Sequence, residues 1–220
     1  MKGCLQHFSL IISRWINCSG CTQRVFTFPD ANAHILMMDR VVVIGTSCSG
    51  KTTFARRLAE ILNCPSTELD RLHWLPDWEP RPLDEFRRLV AAKASQDCWV
   101  IDGNYGDKVR DIVWARATNI VWLNFSFPII FSRALRRTIK RLSTKELLFS
   151  GNQESWRTQF FKRDSILLWV ITSFGRRRRA YPEILKIPAY AHLKVFAFRH
   201  PAEAEEFLDL MKNNIRVHAT

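Results

Sequence analysis

Nowhere does the sequence offer the run of about 18 apolar residues that a membrane-spanning helix requires. The apolar stretch Ile166 to Ile171 is bounded by Asp164 before it and by Arg176 to Arg179 after it. The start lacks the long apolar centre and small-residue cleavage site of a secretory signal, so a soluble, cytoplasmic protein is expected. Cys18-x-x-Cys21 has no second Cys or His pair at matching spacing, which counts against a zinc site. The remaining cysteines, Cys4, Cys48, Cys64 and Cys98, do not read as a disulfide framework, because Cys48 lies in a glycine-flanked loop and Cys98 heads an apolar strand. Reduced thiols are the expectation. Acidic residues are scarce in one region: from Ser126 to Ala180 there are 3, against 13 Lys plus Arg, so +10 of the chain's net +12 sits there. Such a balance favours phosphate-rich ligands, nucleic acid or an anionic surface. No helix-turn-helix, zinc-finger or aromatic-interleaved RNA motif accompanies it.

What is present suits one domain with a possible extra segment. With 220 residues and 47% hydrophobic composition, the chain can fill a real core. Residues 1–37 show little periodicity and are expected to be a disordered extension or a misassigned start, with Met37 or Met38 the true beginning. The domain proper is expected over 38–213.

Its organising stretch is Val41 to Thr53. Four β-branched residues, Val41 to Ile44, predict a strand buried on both faces. Gly45-Thr46-Ser47-Cys48-Ser49-Gly50-Lys51-Thr52 then supplies the complete phosphate-loop pattern G-x-x-x-x-G-K-T, and Thr53 leads into a helix with Phe54, Leu58, Ile61 and Leu62 at helical spacing. Such a loop wraps backbone N–H groups round a polyphosphate, so glycine is needed where a side chain would collide. Lys51 is expected at the β- and γ-phosphate oxygens of ATP and Thr52 at the Mg²⁺ that bridges them. The phosphates would sit at a helix N-terminus.

Further strands are predicted at 64–69, 98–101, 119–124 and 192–198, alternating with helices, one of them over 83–94. Alternation of this kind predicts a five-stranded parallel sheet covered on both faces, with ligands at the carboxyl ends of its strands. Glu68 and Asp70, two apart on one strand, are expected on one side near that mouth, and Asp102 directly after a buried strand is where a carboxylate would orient the magnesium's water shell. The proline-rich segment 72–80, with His73, Trp74 and Trp78, reads as an irregular loop that either faces a substrate or caps the core. Beyond Pro128, a helix over 129–142 places Arg133, Arg137 and Lys140 on one strip. A second helix is expected over 154–174, followed by Arg176 to Arg179 and a turn at Tyr181-Pro182. Basic helices there would form a lid, about 128–182, closing over a transferring phosphoryl group. A final strand and a helix over 202–211 precede a tail, after Asn213, that reads as frayed.

The segments at 45–52, 68–74 (Glu-Leu-Asp-Arg-Leu-His-Trp), 99–105 (Trp-Val-Ile-Asp-Gly-Asn-Tyr) and 133–141 together resemble the adenylate-kinase-like phosphate-loop NTPases. More narrowly they resemble the bacterial group often labelled adenylate kinase or DNA topology modulation protein. The resemblance spans Met38 to about Leu210 and implies the five-stranded sheet, ATP with magnesium, a substrate-binding region and a lid. Asp102-Gly103 matches the start of the Asp-Gly-Phe-Pro-Arg motif of nucleoside monophosphate kinases, but Asn104-Tyr105-Gly106 follows here. That departure removes the usual nucleotide-binding arginine and counts against AMP as acceptor. Glu68 and Asp70 stand where shikimate and gluconate kinases keep a substrate-binding carboxylate.

Two functions follow as expectations. One is an ATP-dependent kinase of a small molecule or nucleotide, with Lys51, Asp70, Arg133 and Arg137 as catalytic residues and Thr52 and Asp102 at the metal. The other is a regulatory NTPase that contacts nucleic acid through its basic region.

Overall fold

The computed structural model describes residues 38–144 and 166–218. The leader at 1–37 and most of the helix expected over 154–174 lie outside the described residues.

Strand β1 (Arg40–Gly45) forms where the β-branched run is, and helix α1 (Lys51–Leu62) follows the loop. Then come β2 (Ser66–Glu68), the short helix α2 (Leu69–His73), α3 (Leu83–Ala94), β3 (Trp99–Asp102), α4 (Gly106–Arg116) and β4 (Asn119–Leu123). Helices α5 (Phe127–Thr144) and α6 (Ile166–Leu185), strand β5 (Lys194–Phe198) and helix α7 (Pro201–His218) complete the order. All five strands are parallel, in the order β2-β3-β1-β4-β5, with β1 at the centre between β3 and β4. This is the phosphate-loop NTPase fold, an α/β architecture with helices on both faces.

Alternation along β1 divides the core. Val41 and Val43 join Phe54, Leu58, Ile130 and Phe207 on one face, while Val42 and Ile44 join Phe86, Val90, Val113 and Trp114 on the other. Helix α6 contributes Val170 to the first cluster and Tyr181 and Leu185 to the second. Twenty residues of helix span about 30 Å, enough to pass from one face to the other.

Several elements differ from expectation. β2 ends at Glu68 and the chain turns straight into α2, so Asp70 is a first-turn helix residue and does not share a strand face with Glu68. The segment 72–80 is partly regular: α2 runs to His73, a 3₁₀ turn spans Pro76–Trp78, and Trp74 bridges Pro80. Helix α6 continues through Arg176 to Arg179 and past Pro182, where a turn was expected. Proline forfeits one main-chain bond there, but burial of Tyr181 and Leu185 on the same helix holds the segment helical. Helix α7 extends to His218 where a frayed tail was expected. Finally, Cys64 and Cys98 form a disulfide with Cα atoms 5.5 Å apart, against the expectation of reduced thiols; Cys48 is free. The parallel register explains the pairing, because the connections entering β2 and β3 run side by side.

Candidate functional site

The site is built at the carboxyl end of β1, where the strand order places β3 on one side and β4 on the other. Gly45 must be glycine for lack of space: a Cβ there would come within 2.8 Å of both the Leu123 carbonyl and Ser49 Oγ. The loop then tightens through a main-chain bond from Ser49 N–H to the Thr46 carbonyl at 3.1 Å, with Cys48 in the left-handed region at φ 66°. Gly50, at φ 91°, caps α1 without any side-chain partner. No acidic residue occupies the first turn of α1, so its opening N–H groups face the loop with no carboxylate of their own helix beside them. Thr46 and Ser49 are buried, Ser47 and Cys48 half-buried, and the Thr53 side chain points to solvent.

Lys51 Nζ reaches back over the loop to donate to the Thr46 carbonyl at 3.2 Å. Burial, then the nearby positive charge of Arg177, lowers its pKa, while Asp102 and Asp70 oppose that shift. Thr52 Oγ1 lies 2.8 Å from Asp102 Oδ2 and 3.2 Å from Glu68 Oε1. One hydroxyl proton serves one acceptor, and the shorter contact is to Asp102. Burial pushes the Asp102 carboxyl up to about 6, helped by Glu68 and Asp70 and opposed by Lys51 and the Thr52 hydroxyl. Its other oxygen, Oδ1, is buried without a hydrogen-bond partner.

That orphaned oxygen bears on the expected magnesium. Among the described residues no group of three or more His, Cys, Asp or Glu is arranged to hold a metal ion. Mg²⁺ in a phosphate site needs no such cage, since it keeps waters and phosphate oxygens and takes one or two protein oxygens. The Thr52 hydroxyl and Asp102 carboxylate are hard donors within hydrogen-bond distance of each other, and they fit that requirement.

A second cluster flanks the first. Tyr105 donates to Asp70 Oδ1 at 2.6 Å, and burial, followed by the Asp70 charge, raises the phenol's pKa. His73 is buried in a cage of Trp74, Phe86 and Tyr105, with ring centroids 4.6 to 5.0 Å away, and Lys108 Nζ stands 3.4 Å from its Nε2. Burial, then Lys108, lowers the His73 pKa. Of the two readings of this segment, His73 belongs to the core and Trp78, 37% exposed, to the surface.

From the basic helices, Arg133 donates to the Ser49 carbonyl at 2.7 Å and lies over the Phe125 ring. Arg137, one turn on, has its Nε buried without a partner, whereas Lys140 is exposed. Sequence reasoning did not single out Arg177. Its neighbours Arg176, Arg178 and Arg179 are exposed, but Arg177 is half-buried with Nη1 unpartnered, and its charge acts on Lys51, Asp70 and Tyr105. Helix phase distinguishes it from the other three, and ending the expected helix at Phe174, before the arginine run, concealed that phase. Asn104 and Tyr105 were also missed as individual residues, although the motif containing them was noted.

No protein-family model matches the chain, and no curated protein does. Among solved structures, similarity is found to a shikimate kinase from Bacteroides thetaiotaomicron (18% identity, TM-score 0.43, covering 81% of this chain and 98% of that one). A gluconokinase from Sinorhizobium meliloti 1021 gives 18% identity and a TM-score of 0.43, over 83% and 98% of the two chains. A shikimate kinase from Acinetobacter baumannii in complex with shikimate gives 17% and 0.48, with the same coverage. At such identity the likeness says nothing about substrate.

Proposed function

We propose that the chain is an ATP-dependent phosphotransferase acting on a small-molecule acceptor, of the adenylate-kinase-like group that its motifs resemble. The observation that carries this reading is the meeting of Lys51, the Thr52–Asp102 pair and the Tyr105–Asp70 pair at one end of the sheet, beside a loop that presents main-chain donors. Lys51 and Arg177 are two cations brought together under partial burial, an arrangement that an anion between them relieves. A triphosphate is that anion.

In this reading the loop from Gly45 to Thr53 binds the phosphates and Lys51 swings from the Thr46 carbonyl onto their oxygens. Thr52 and Asp102 would hold magnesium, which would supply positive charge against the phosphate oxygens. Asp70, oriented by the Tyr105 hydroxyl, positions an acceptor hydroxyl and takes its proton. Arg133 steadies the loop through Ser49, while Arg137 and Arg177 meet charge developing on the transferred group. Phosphoryl transfer is mostly positioning and charge stabilisation.

The test is titration calorimetry with Mg-ATP, followed by a phosphorylation screen of nucleosides, nucleotides, sugars and hydroxy acids. Lys51→Ala is expected to lower turnover by about 10²-fold to 10⁵-fold. Undiminished turnover in that variant would overturn the assignment. A second reading draws on the exposed Arg136, Lys140, Arg176, Arg178 and Arg179: the chain binds nucleic acid through this ridge, with ATP as a switch. Affinity for a DNA duplex that falls steeply between 50 and 200 mM salt (a decline of roughly 10³-fold or more) would favour it.

A further inference from the structure

Beyond Asp102 the chain leaves the sheet, and the β3 ladder against β1 stops with the pair Val43 and Asp102. Gly45, two residues further along β1, then needs partners for its N–H and carbonyl on that side. A single side chain supplies both. Asn104 Nδ2 donates to the Gly45 carbonyl at 2.7 Å, and Gly45 N–H points at Asn104 Oδ1 at 3.4 Å. The carboxamide thus acts as one more rung of the sheet at the first residue of the phosphate loop.

The same Oδ1 accepts a hydrogen bond from the Tyr181 hydroxyl at 2.9 Å. Tyr181 is buried on α6, packed edge-on against Trp122 at 5.6 Å and tilted against Trp114 at 6.5 Å. Burial raises its pKa, so the phenol stays protonated and remains a donor. Arg177 precedes Tyr181 by four residues on the same helix, and residues at that spacing share a face. The ring packing holds the body of Tyr181, and the hydroxyl ties it to Asn104 beside the loop.

We propose that Asn104 is a positioning residue, whose carboxamide fixes the first residue of the phosphate loop and, through the Tyr181 hydroxyl, the rotation of α6 that turns Arg177 toward Lys51 and Asp70. The proposal rests on the nucleotide reading for its consequence, not for the existence of the link. It gives Asn104 a chemical requirement. A donor must face Gly45 and an acceptor must face Tyr181, a combination that a carboxamide meets and an isosteric carboxylate does not.

A double-mutant cycle read by Mg-ATP calorimetry tests the consequence. Tyr181→Phe keeps the ring and removes one hydrogen bond, so the Kd for Mg-ATP is expected to rise about threefold to tenfold. In an Arg177→Ala background the same replacement is expected to change Kd by less than about twofold, because the group being positioned is gone. Full additivity of the two replacements, or no loss from Tyr181→Phe in the unaltered chain, would overturn the positioning role. Hydrogen exchange of the protein without nucleotide tests the link itself. Asn104→Asp, which still accepts from Tyr181 but cannot donate to Gly45, is expected to accelerate exchange across 45–50. Tyr181→Phe is expected to accelerate it across 177–185. Unchanged exchange in both segments would show that the link does not exist. A chain that binds no Mg-ATP would instead remove the nucleotide reading and leave exchange to decide the link, so the two failures are told apart. Tyr181→Phe keeps the cycle informative even if Asn104 variants fold poorly.

Discussion

The mouth of the sheet and the helices α5 and α6 are both rich in charge, yet they handle it in opposite ways. At the mouth, carboxylates are paired: the buried Asp102 and the half-buried Glu68 with the Thr52 hydroxyl, and Glu68 in turn with the exposed Arg56 and Arg71. On α5 and α6 most of the described cations stand exposed, whereas Arg133 bonds to the loop and the charge of Arg177 acts on its lysine. Net charge by itself therefore says little about function in either region. Desolvation decides, because a cation in water is screened whereas one held half-buried near Lys51 is screened less.

The sharpest way to break this comparison is to remove one arginine of each kind. Arg177→Ala is expected to lower phosphoryl transfer by about 10²-fold to 10³-fold, and Arg136→Ala to leave it within about twofold, measured as kcat once an acceptor is known. Equal losses would mean that the ridge acts as a whole. The next largest effect concerns the far end of α1. Reducing the Cys64–Cys98 bridge, or replacing Cys98 by Ser, is expected to lower unfolding stability by roughly 2 to 4 kcal/mol for a crosslink of this loop length, read by denaturant melts with and without reductant. Peptide mapping under non-reducing conditions that finds both thiols free would contradict the pairing.

Asp102 carries a signed pH dependence. Its folded pKa of about 6 lies above the ordinary 3.8, so the carboxyl's contribution to stability is fully present below about pH 4 and is lost as pH rises through 6. Asp102→Asn is expected to flatten that decline and to stabilise the nucleotide-free protein at pH 7 by on the order of 2 to 3 kcal/mol, while weakening Mg-ATP binding. Melts between pH 4 and 7 check the first part, and calorimetry the second. A variant less stable than the parent at pH 7 would show that the mouth is not held under electrostatic strain.

The smallest effect belongs to the surface. The Arg57–Glu205 pair, 42% and 57% exposed, joins α1 to α7, and Glu205→Gln is expected to change stability by less than about 1 kcal/mol, as thermal melts would report.

How much could be read in advance depended on how local the cause was. The strand, loop and helix from Val41 to Leu62 were legible because the motif's chemistry sits in consecutive residues. Asp70 was identified as a site residue but assigned to a strand, because Leu69, buried against the second core, begins a helix that strand periodicity does not anticipate. The segment around His73 read equally well as facing a substrate or capping the core until Phe86 and Tyr105, far along the chain, closed around His73.

The sequence by itself determined the sheet, its parallel sense and the phosphate loop, since hydrophobic period and glycine placement act over short stretches of chain. Tertiary structure decided which arginine turns inward, that Asn104 completes the β1 ladder, and that Cys64 meets Cys98. Those outcomes depend on the phase and docking of helices and strands distant in sequence, where burial and hydrogen bonding between separate segments outweigh local preference.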